Sequence, residues 1–396
     1  MRSRRPRHSG GLLDKDYQKN GGKTGRYNAR TLVAIGATVL AVAWLSVMFL
    51  GIRDDVGSSS VHLKGLGGFL YTSSSSDAKR SSRHKRKKKK SKSKRERRSS
   101  PDLPVCTPSP LEKKHVYPKY GCDDMEKMLD GPTKWLGQGY WREVRLAEAD
   151  GKPVAVKTLR DTQDESRRNK ERHRWEAVAL DSVKGHPNIV HLLGLCECDV
   201  MTEYFPVYMD ELILEDPTDA FEPFSDRKII GMALDAARGL QALHEVPGGP
   251  IVHADLQPRQ LLLNSDGMVK VNDLNRCRFM GTDEDGDPCP FIITKGNGVW
   301  RSPEEYASEP LTEKLDIYSM GMIFWAMLGR DTPFERDDRY KDRVLEGERP
   351  YVDPSWHRGF VELFSDMWAG VPDDRPAAGE VVLRLEEMFA ELATTK

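Results

Sequence analysis

The chain has 396 residues, enough for two or three domains, and its 61 basic and 61 acidic side chains balance. The balance hides an asymmetry: residues 1–98 carry 25 Lys and Arg against 6 Asp and Glu, so the remainder is strongly acidic. That remainder is long enough to bury a sizeable core, and its charge argues against nucleic acid as the partner of the folded part.

Residues 1–30 form a basic tail with nine Lys and Arg. Residues 31–52, TLVAIGATVLAVAWLSVMFLGI, are 22 positions without a charge. That is enough helix to cross a hydrocarbon core about 30 Å thick, and it is too long and starts too deep for an ordinary cleaved signal peptide. We expect a transmembrane helix here. The nearby Lys and Arg are concentrated on its N-terminal side, which predicts a type II orientation with the large domain in the lumen or outside the cell.

Residues 53–105 are rich in Ser, Gly, Lys and Arg and cannot bury enough surface to fold, so they read as a disordered stalk. Within it, KRSSRHKRKKKKSKSKRERR (79–98) carries 14 Lys and Arg in 20 residues. Such a tract suits anionic lipids, acidic proteins or nucleic acid, and if it governed topology it would hold that side in the cytosol. Residues 106–129 are a lead-in segment. The six cysteines, Cys106, Cys122, Cys196, Cys198, Cys277 and Cys289, all lie beyond residue 100. Their even number permits disulfides in an oxidising compartment, while buried free thiols fit the pattern equally. On a strand, Cys196 and Cys198 would face the same side. No Cys-x-x-Cys pair exists, which argues against a zinc or thioredoxin-like site.

From about residue 130 the composition becomes that of a folded domain, which we place at 130–392. TKWLGQGYWREVRLAE suggests two strands joined by a Gly-containing turn. KPVAVKTLR is a strand with Val154 and Val156 on one face and Lys157 on the other. NKERHRWEAVALDSVKG reads as a helix, with Trp175, Val178, Ala179 and Val183 on one stripe. FSDRKIIGMALDAARGLQALHE is a longer helix with Ser225 or Asp226 as its cap. Further helices are expected near 313–329, near 356–369 and over the last 18 residues. Strands first and mostly helices afterwards suit a two-lobed α+β domain.

Seven stretches carry chemistry. In order they are LGQGYWREV (136–144), VAVK (154–157), VMTEYF (200–205), IVHADLQPRQLLLN (251–264), VKVNDLNRCRF (269–279), GVWRSPEEY (298–306) and EKLDIYSMGMIFWAMLGRDTPF (313–334). Glycine lets a backbone approach a phosphate closely, a buried lysine needs an anion beside it, and carboxylates and amide oxygens suit Mg²⁺. In this order and spacing the stretches resemble the eukaryotic protein kinase family over residues 130–392. The resemblance implies a small β-rich lobe, a larger helical lobe, and transfer of the ATP γ-phosphate to a hydroxyl of a protein, at Ser/Thr or Tyr.

By the same resemblance Leu136, Gly137 and Gly139 belong to a lid over the ATP phosphates, whose third glycine is here Arg142. Lys157 would bind the phosphates and pair with Glu176, with Glu171 as the alternative partner. Thr202 would be the gatekeeper, backbone groups of Glu203 and Phe205 would bond the adenine edge, and Val144, Ala155 and Leu262 would sandwich the base. Asp255 would orient the acceptor hydroxyl and take its proton. Asp273 would be the main ligand of Mg²⁺, for which Mn²⁺ is an alternative. Gln260 stands where an Asn holds a second ion, one methylene longer. Glu304 would pair with Arg375 of DDRPAAGEV, and Asp316 and Gly321 match a helix that supports the catalytic loop.

Departures from the family pattern leave two readings open. Lys157, Glu176, Asp255 and Asp273 favour an active ATP- and Mg²⁺-dependent kinase. Arg142, Ala254, Gln260 and Asn275 favour a pseudokinase scaffold. DLQPRQLLL with NDLN is also similar to the protein O-mannose kinase branch, which implies a type II membrane protein whose lumenal domain phosphorylates a glycan. Cys277 and Cys289 flank the acidic turn GTDEDGD in the segment 273–304. We expect a bridge between them in a secretory compartment, holding this activation segment without a phosphate.

Overall fold

The computed structural model describes residues 103–214, 224–293, 296–335 and 337–394. The expected basic tail, the transmembrane helix and nearly all of the stalk lie outside the described residues. No helix among the described residues is long and apolar enough to cross a membrane.

A short helix, α1 (Cys122–Asp130), precedes strands β1 (Lys134–Gln138), β2 (Arg142–Ala149) and β3 (Lys152–Leu159). Helix α2 (Arg167–Ser182) follows, then β4 (Leu192–Cys196) and β5 (Asp199–Glu203). The five strands form one antiparallel sheet in the order β1-β2-β3-β5-β4. Alternation along β3 decides its faces. Val154 and Val156 enter a small core with Met125, Ala147, Ala149 and Met201, while Lys157 reaches Asn272 on the opposite side. Ser166 caps α2 by accepting the Asn169 N–H. The helix then buries His173, Glu176, Ala177 and Leu180, so a carboxylate sits among its inward residues.

The second part of the domain is mostly helical. It holds β6 (Val207–Tyr208), α3 (Met209–Ile213), α4 (Asp226–His244), β7 (Ile251–Val252), β8 (Leu261–Leu263), β9 (Val269–Val271) and β10 (Arg278–Phe279). Helices α5 (Pro303–Ala307), α6 (Lys314–Gly329), α7 (Tyr340–Leu345), α8 (Arg358–Met367) and α9 (Ala378–Thr394) complete it. The short strands pair as β6-β8-β9 and β10-β7. Of the two caps expected for α4, Ser225 serves, accepting the Lys228 N–H. Every residue of α6 from Leu315 to Met327 is buried, so this helix is the axis of the main core rather than a surface helix. A Cβ on Gly321 would lie 2.9 Å from the Met367 Cβ, so glycine is what lets α8 approach α6 so closely. The expected ion pair is formed: Arg375 grips Glu304 with two bonds of 2.7 and 2.8 Å, both side chains buried. Its fork geometry suits a buried carboxylate.

The lead-in segment is built into the domain. Thr107 and Thr282 exchange backbone hydrogen bonds of 2.8 and 3.0 Å, and Cys106 is disulfide-bonded to Cys289. A Cβ on Gly281 would meet the Thr107 carbonyl at 2.1 Å. Ser109 Oγ donates to the Gly248 carbonyl at 2.9 Å, and Arg174 of α2 donates to the carbonyls of Glu112 and Lys114. The segment therefore straps α2, the 248 loop and residues 281–289 together. A second disulfide, Cys122–Cys196, ties α1 to β4.

The expected Cys277–Cys289 bridge is not formed. Cys277 points into the main apolar core, where it remains a free thiol, and burial pushes it well above its ordinary value. Cys289 meets Cys106 instead. Cys198 is also free. It does not share a strand face with Cys196, because the chain turns at Glu197, which takes φ +52°.

Cys289→Ser should release the strap. We expect thermal unfolding of the non-reduced protein to show a loss of about 2–5 kcal/mol, with faster proteolysis between residues 281 and 293. Unchanged stability would mean that the backbone ladder at Thr107 holds the segment alone.

Candidate active site

The loop 253–260 hangs from α6. Asp316, fully buried, accepts the backbone N–H groups of His253 at 2.6 Å and Ala254 at 2.9 Å, and His244 of α4 reaches the same carboxylate at 3.1 Å. Ala254 takes φ +59°, a conformation that costs a residue with a Cβ about 1–2 kcal/mol unless its neighbours hold it. The two Asp316 bonds do so. His253 Nε2 donates to the Asn272 carbonyl at 2.9 Å, which frees Nδ1 to accept the Asp255 N–H at 3.2 Å.

Asp255 projects from this loop, and its side chain is 15% exposed. One carboxylate oxygen, Oδ1, accepts from both Arg301 and Arg276, the latter at 3.2 Å. Arg301 also donates to the Ala254 carbonyl at 3.2 Å. A cation thus reaches the loop even though residue 254 is not an arginine.

Asp273 follows β9 with φ +62°. Its Oδ1 accepts from Asn275 Nδ2 and, at 3.2 Å, from Arg142 Nη2. Its neighbour Asn272 is a hub. The Asn272 side chain accepts from Lys157 at 2.8 Å, and its backbone N–H donates to the Gln260 carbonyl at 2.9 Å. With the His253 bond it joins the sheet to the loop.

Glu176 is the anion of the site and has no exposed surface. Lys157 Nζ lies 3.5 Å from Oε1, and Arg142 Nη2 lies 2.7 Å from Oε2. Burial alone would raise this carboxyl, but Arg142 first and then Lys157 outweigh it and hold the group well below the usual carboxylate range. Of the two partners considered for Lys157, the structure selects Glu176; Glu171 is exposed.

The remaining expected residues lie on or beside the strands of the five-stranded sheet and on β8. Leu136 and Gly137 are half-buried and Gly139 is exposed, at the β1–β2 turn. Arg160 and Gln163 pin that turn through the carbonyls of Gly139 and Tyr140, at 2.9 and 3.0 Å. Val144 faces Lys157 across the β2–β3 pair, and Ala155 faces Thr202 across β3–β5. Leu262 packs with Val190 and Phe205 in a small apolar cluster. At Glu203 the backbone N–H donates to the His191 carbonyl at 3.2 Å, and the side chain pairs with Lys270 at 2.5 Å. That N–H is therefore committed within the protein.

Asp273 and the amide oxygen of Gln260 are hard donors that fit Mg²⁺, an ion that also keeps waters or substrate phosphates as ligands. Among the described residues no group of three or more His, Cys, Asp and Glu is arranged to hold a metal, so such an ion would depend on the nucleotide for much of its shell. Arg301, Arg276 and Asn272 were not picked out from the sequence, although each lies in a quoted motif. Their signal was faint, since an arginine three residues before an acidic pair reads equally as a surface charge. Arg142 was read as a missing glycine and is in fact an added cation.

A family model described as "Protein kinase domain" matches residues 132–384. The chain is 29% identical over 302 residues to "Dual specificity protein kinase shkD" of Dictyostelium discoideum, covering 72% of this chain and 39% of that protein. It is 30% identical over 263 residues to "Probable serine/threonine-protein kinase drkC" of the same organism, covering 64% and 34%. To "Serine/threonine-protein kinase 12" of Arabidopsis thaliana it is 32% identical over 248 residues, covering 60% and 52%. The matched region thus spans between about a third and a half of the length of these relatives.

Beside Arg301, burial pushes the Glu305 carboxyl up to about 7, with Arg301 opposing and Glu304 and Asp316 adding to the rise. A carboxyl raised from 4.5 in this way adds stability that is fully present below 4.5 and lost as pH rises through about 7. The melting temperature should fall across that window, and Glu305→Gln, which resembles the protonated form, should flatten the slope. An equal slope in the variant would assign the dependence to another group.

Proposed function

From the premise that the chain belongs to the protein kinase family, we propose that it transfers the γ-phosphate of ATP to a hydroxyl of a protein. One observation carries the reading. Arg142 links Lys157, Glu176 and Asp273 into one polar network, and Asn272 connects it to the loop that presents Asp255.

Each residue then has a task. Lys157, oriented by Glu176 and Asn272, meets the nucleotide phosphates. Val144, Ala155 and Leu262 flank the base, with Thr202 behind it and the backbone of Phe205 and the Glu203 carbonyl at its edge. Mg²⁺ bound by Asp273 and the Gln260 amide oxygen would neutralise charge on the β- and γ-phosphates. Asp255 accepts the hydrogen bond of the incoming hydroxyl and takes its proton. Arg301 and Arg276 fix the Asp255 carboxylate through one oxygen, which leaves the other toward the acceptor. Catalysis in such a site is mainly positioning and charge stabilisation.

A second reading is supported by the occupation of Asp273. Its Oδ1 is already bonded by Arg142 and Asn275, as would suit a scaffold that keeps the fold without the reaction. The acceptor class and the placement of the chain are part of the proposal too. Relatives are named for Ser/Thr and for dual specificity, which supports a protein acceptor. Two disulfides support an oxidising compartment. They favour the type II arrangement, with residues 31–52 in the membrane and the domain in the lumen, where a glycan acceptor is also within reach. The basic stalk would then meet acidic proteins or anionic lipids.

The test uses the full chain in detergent with labelled ATP, Mg²⁺ and mixed protein and glycan acceptors. We expect wild-type transfer to a protein, and a loss of about 10²–10⁴-fold in Asp255→Asn with nucleotide binding kept. Binding without transfer by the wild type would support the scaffold, and label only on glycan would reassign the acceptor. Protease protection in sealed, cytoplasmic-side-out vesicles should spare the domain; its digestion there would overturn the lumenal placement.

A further inference from the structure

A group of arginines gathers where α2 meets β10. Arg168 and Arg172 stand one turn apart on α2, and Trp175 continues the same stripe to meet the Phe279 ring at 5.7 Å. Arg278, beside Phe279, donates through Nη1 to the carbonyls of Arg276 and Cys277, both at 2.9 Å. Arg276 lies at the catalytic end, with Nη1 3.2 Å from Asp255 Oδ1. Among the described residues, Arg168, Arg172 and Arg278 have no carboxylate partner. Burial first, and then Arg278, Arg168 and Arg276, hold Arg172 below its ordinary value. Burial lowers Arg278 too, with Arg276 and Arg168 adding to the fall. The group is open to solvent: Arg168 is exposed, and Arg172, Arg276 and Arg278 are half-buried.

The fold does not answer this charge. The folded part is acidic overall, so a basic patch on it is no by-product of composition. The next acids along the chain close on themselves, since Asp283 Oδ1 accepts the N–H groups of Asp285 and Asp287. That turn is fastened to the lead-in by Thr107 and Cys106, so the arginines are not what holds it. Arg172 is presented rather than consumed. Its guanidinium lies over the Trp141 ring at 4.3 Å, and Tyr140 packs edge-on against Trp141 at 4.9 Å. Stacking occupies the face of a guanidinium and leaves the donors in its plane for an anion. Arg168 sits in the first turn of α2, where the macrodipole disfavours a cation and favours an anion.

We infer that Arg168, Arg172, Arg276 and Arg278 form a subsite for acidic residues of the protein acceptor, so that the chain selects hydroxyls flanked by Asp or Glu. The inference rests on the kinase reading above and names its substrate class. Arg276 sets the geometry, because it touches Asp255, where the hydroxyl would be received. An extended peptide advances about 3.3 Å per residue, so residues a few positions from that hydroxyl pass over Arg276 toward the rest of the group. Guanidinium forks suit carboxylates there, and complementary charge of this kind sets specificity more than raw affinity.

The test uses the full chain in detergent with labelled ATP and Mg²⁺. The acceptors are peptides with one Ser, Thr or Tyr, flanked by Glu, by Ala or by Lys. The wild type should favour Glu-flanked over Ala-flanked peptides by about tenfold or more in kcat/KM, with Lys-flanked peptides poorest. Arg168→Gln with Arg172→Gln should cut that preference to about twofold or less, while the Ala-flanked rate stays near wild type. Arg172→Glu should move the preference to Lys, a reversal that lost packing alone does not produce. Arg168→Glu, at an exposed position, reads the same shift if the Arg172 variants do not fold. Wild-type transfer that ignores flanking charge, or variants that keep the Glu preference, would overturn the inference and leave the kinase reading intact. No transfer to any peptide would overturn the kinase reading instead. Anisotropy of a fluorescent Glu-flanked peptide then decides the subsite: binding tighter than that of the Ala-flanked peptide keeps it, and equal binding removes it.

Discussion

Glu176 has no exposed surface, yet Arg142 and Lys157 close on its two oxygens and hold its carboxyl well below the usual carboxylate range, and the rest of the site is arranged around that cluster. A carboxylate taken wholly out of water is tolerable only if cations and donors replace its hydration, and losing one such partner typically costs about 3–5 kcal/mol. The partners must come from elsewhere in the chain. Lys157 comes from β3 and Arg142 from β2, so α2 can sit against the sheet only where both reach it. Arg142 carries the constraint on to Asp273, and Lys157 carries it to Asn272. Asn272 holds His253 and Gln260, and Asp316 holds the loop from the other side. One polar network therefore runs from the five-stranded sheet to the central helix of the main core.

That network fixes the site from inside, and the lead-in strap fixes it from outside. The strap touches α2 through Arg174 and the segment after β10 through Thr107 and Cys106. Together with Arg301 on Asp255 and the Ala254 carbonyl, it holds the loop and the segment 273–304 by covalent, backbone and arginine contacts. Ala254 in place of an arginine is then a change of device rather than a loss. A left-handed backbone position needs support from its neighbours, and Asp316 and Arg301 supply it.

Much of this was legible beforehand. The strands around Val154 and Val156 and the helices at 226–244 and 314–329 follow from period and capping, while the Glu304–Arg375 pair and the support from Asp316 were implied by the resemblance to the kinase family. The pairing of Lys157 with Glu176 was one of two sequence candidates, and packing chose it because Glu176 lies on the inward face of α2 and Glu171 does not. What was misread depended on direction. Cys277 and Cys289 are close along the chain, but one side chain turns into the core and the other toward the lead-in. Arg142 looked like a defect because a side chain in a turn gives no hint of what lies across the cleft.

The sequence by itself determined the order of elements and which residues alternate toward a core. These are local properties, set by period, composition and neighbours along the chain. Only the tertiary structure decided which charges meet. Arg142 with Glu176 and Asp273, Arg301 with Asp255, and Cys106 with Cys289 join residues 34, 131, 46 and 183 positions apart. Such pairings rest on the packing of α2 and of residues 273–304 against the sheet and the main core, and a linear pattern carries no record of that distance.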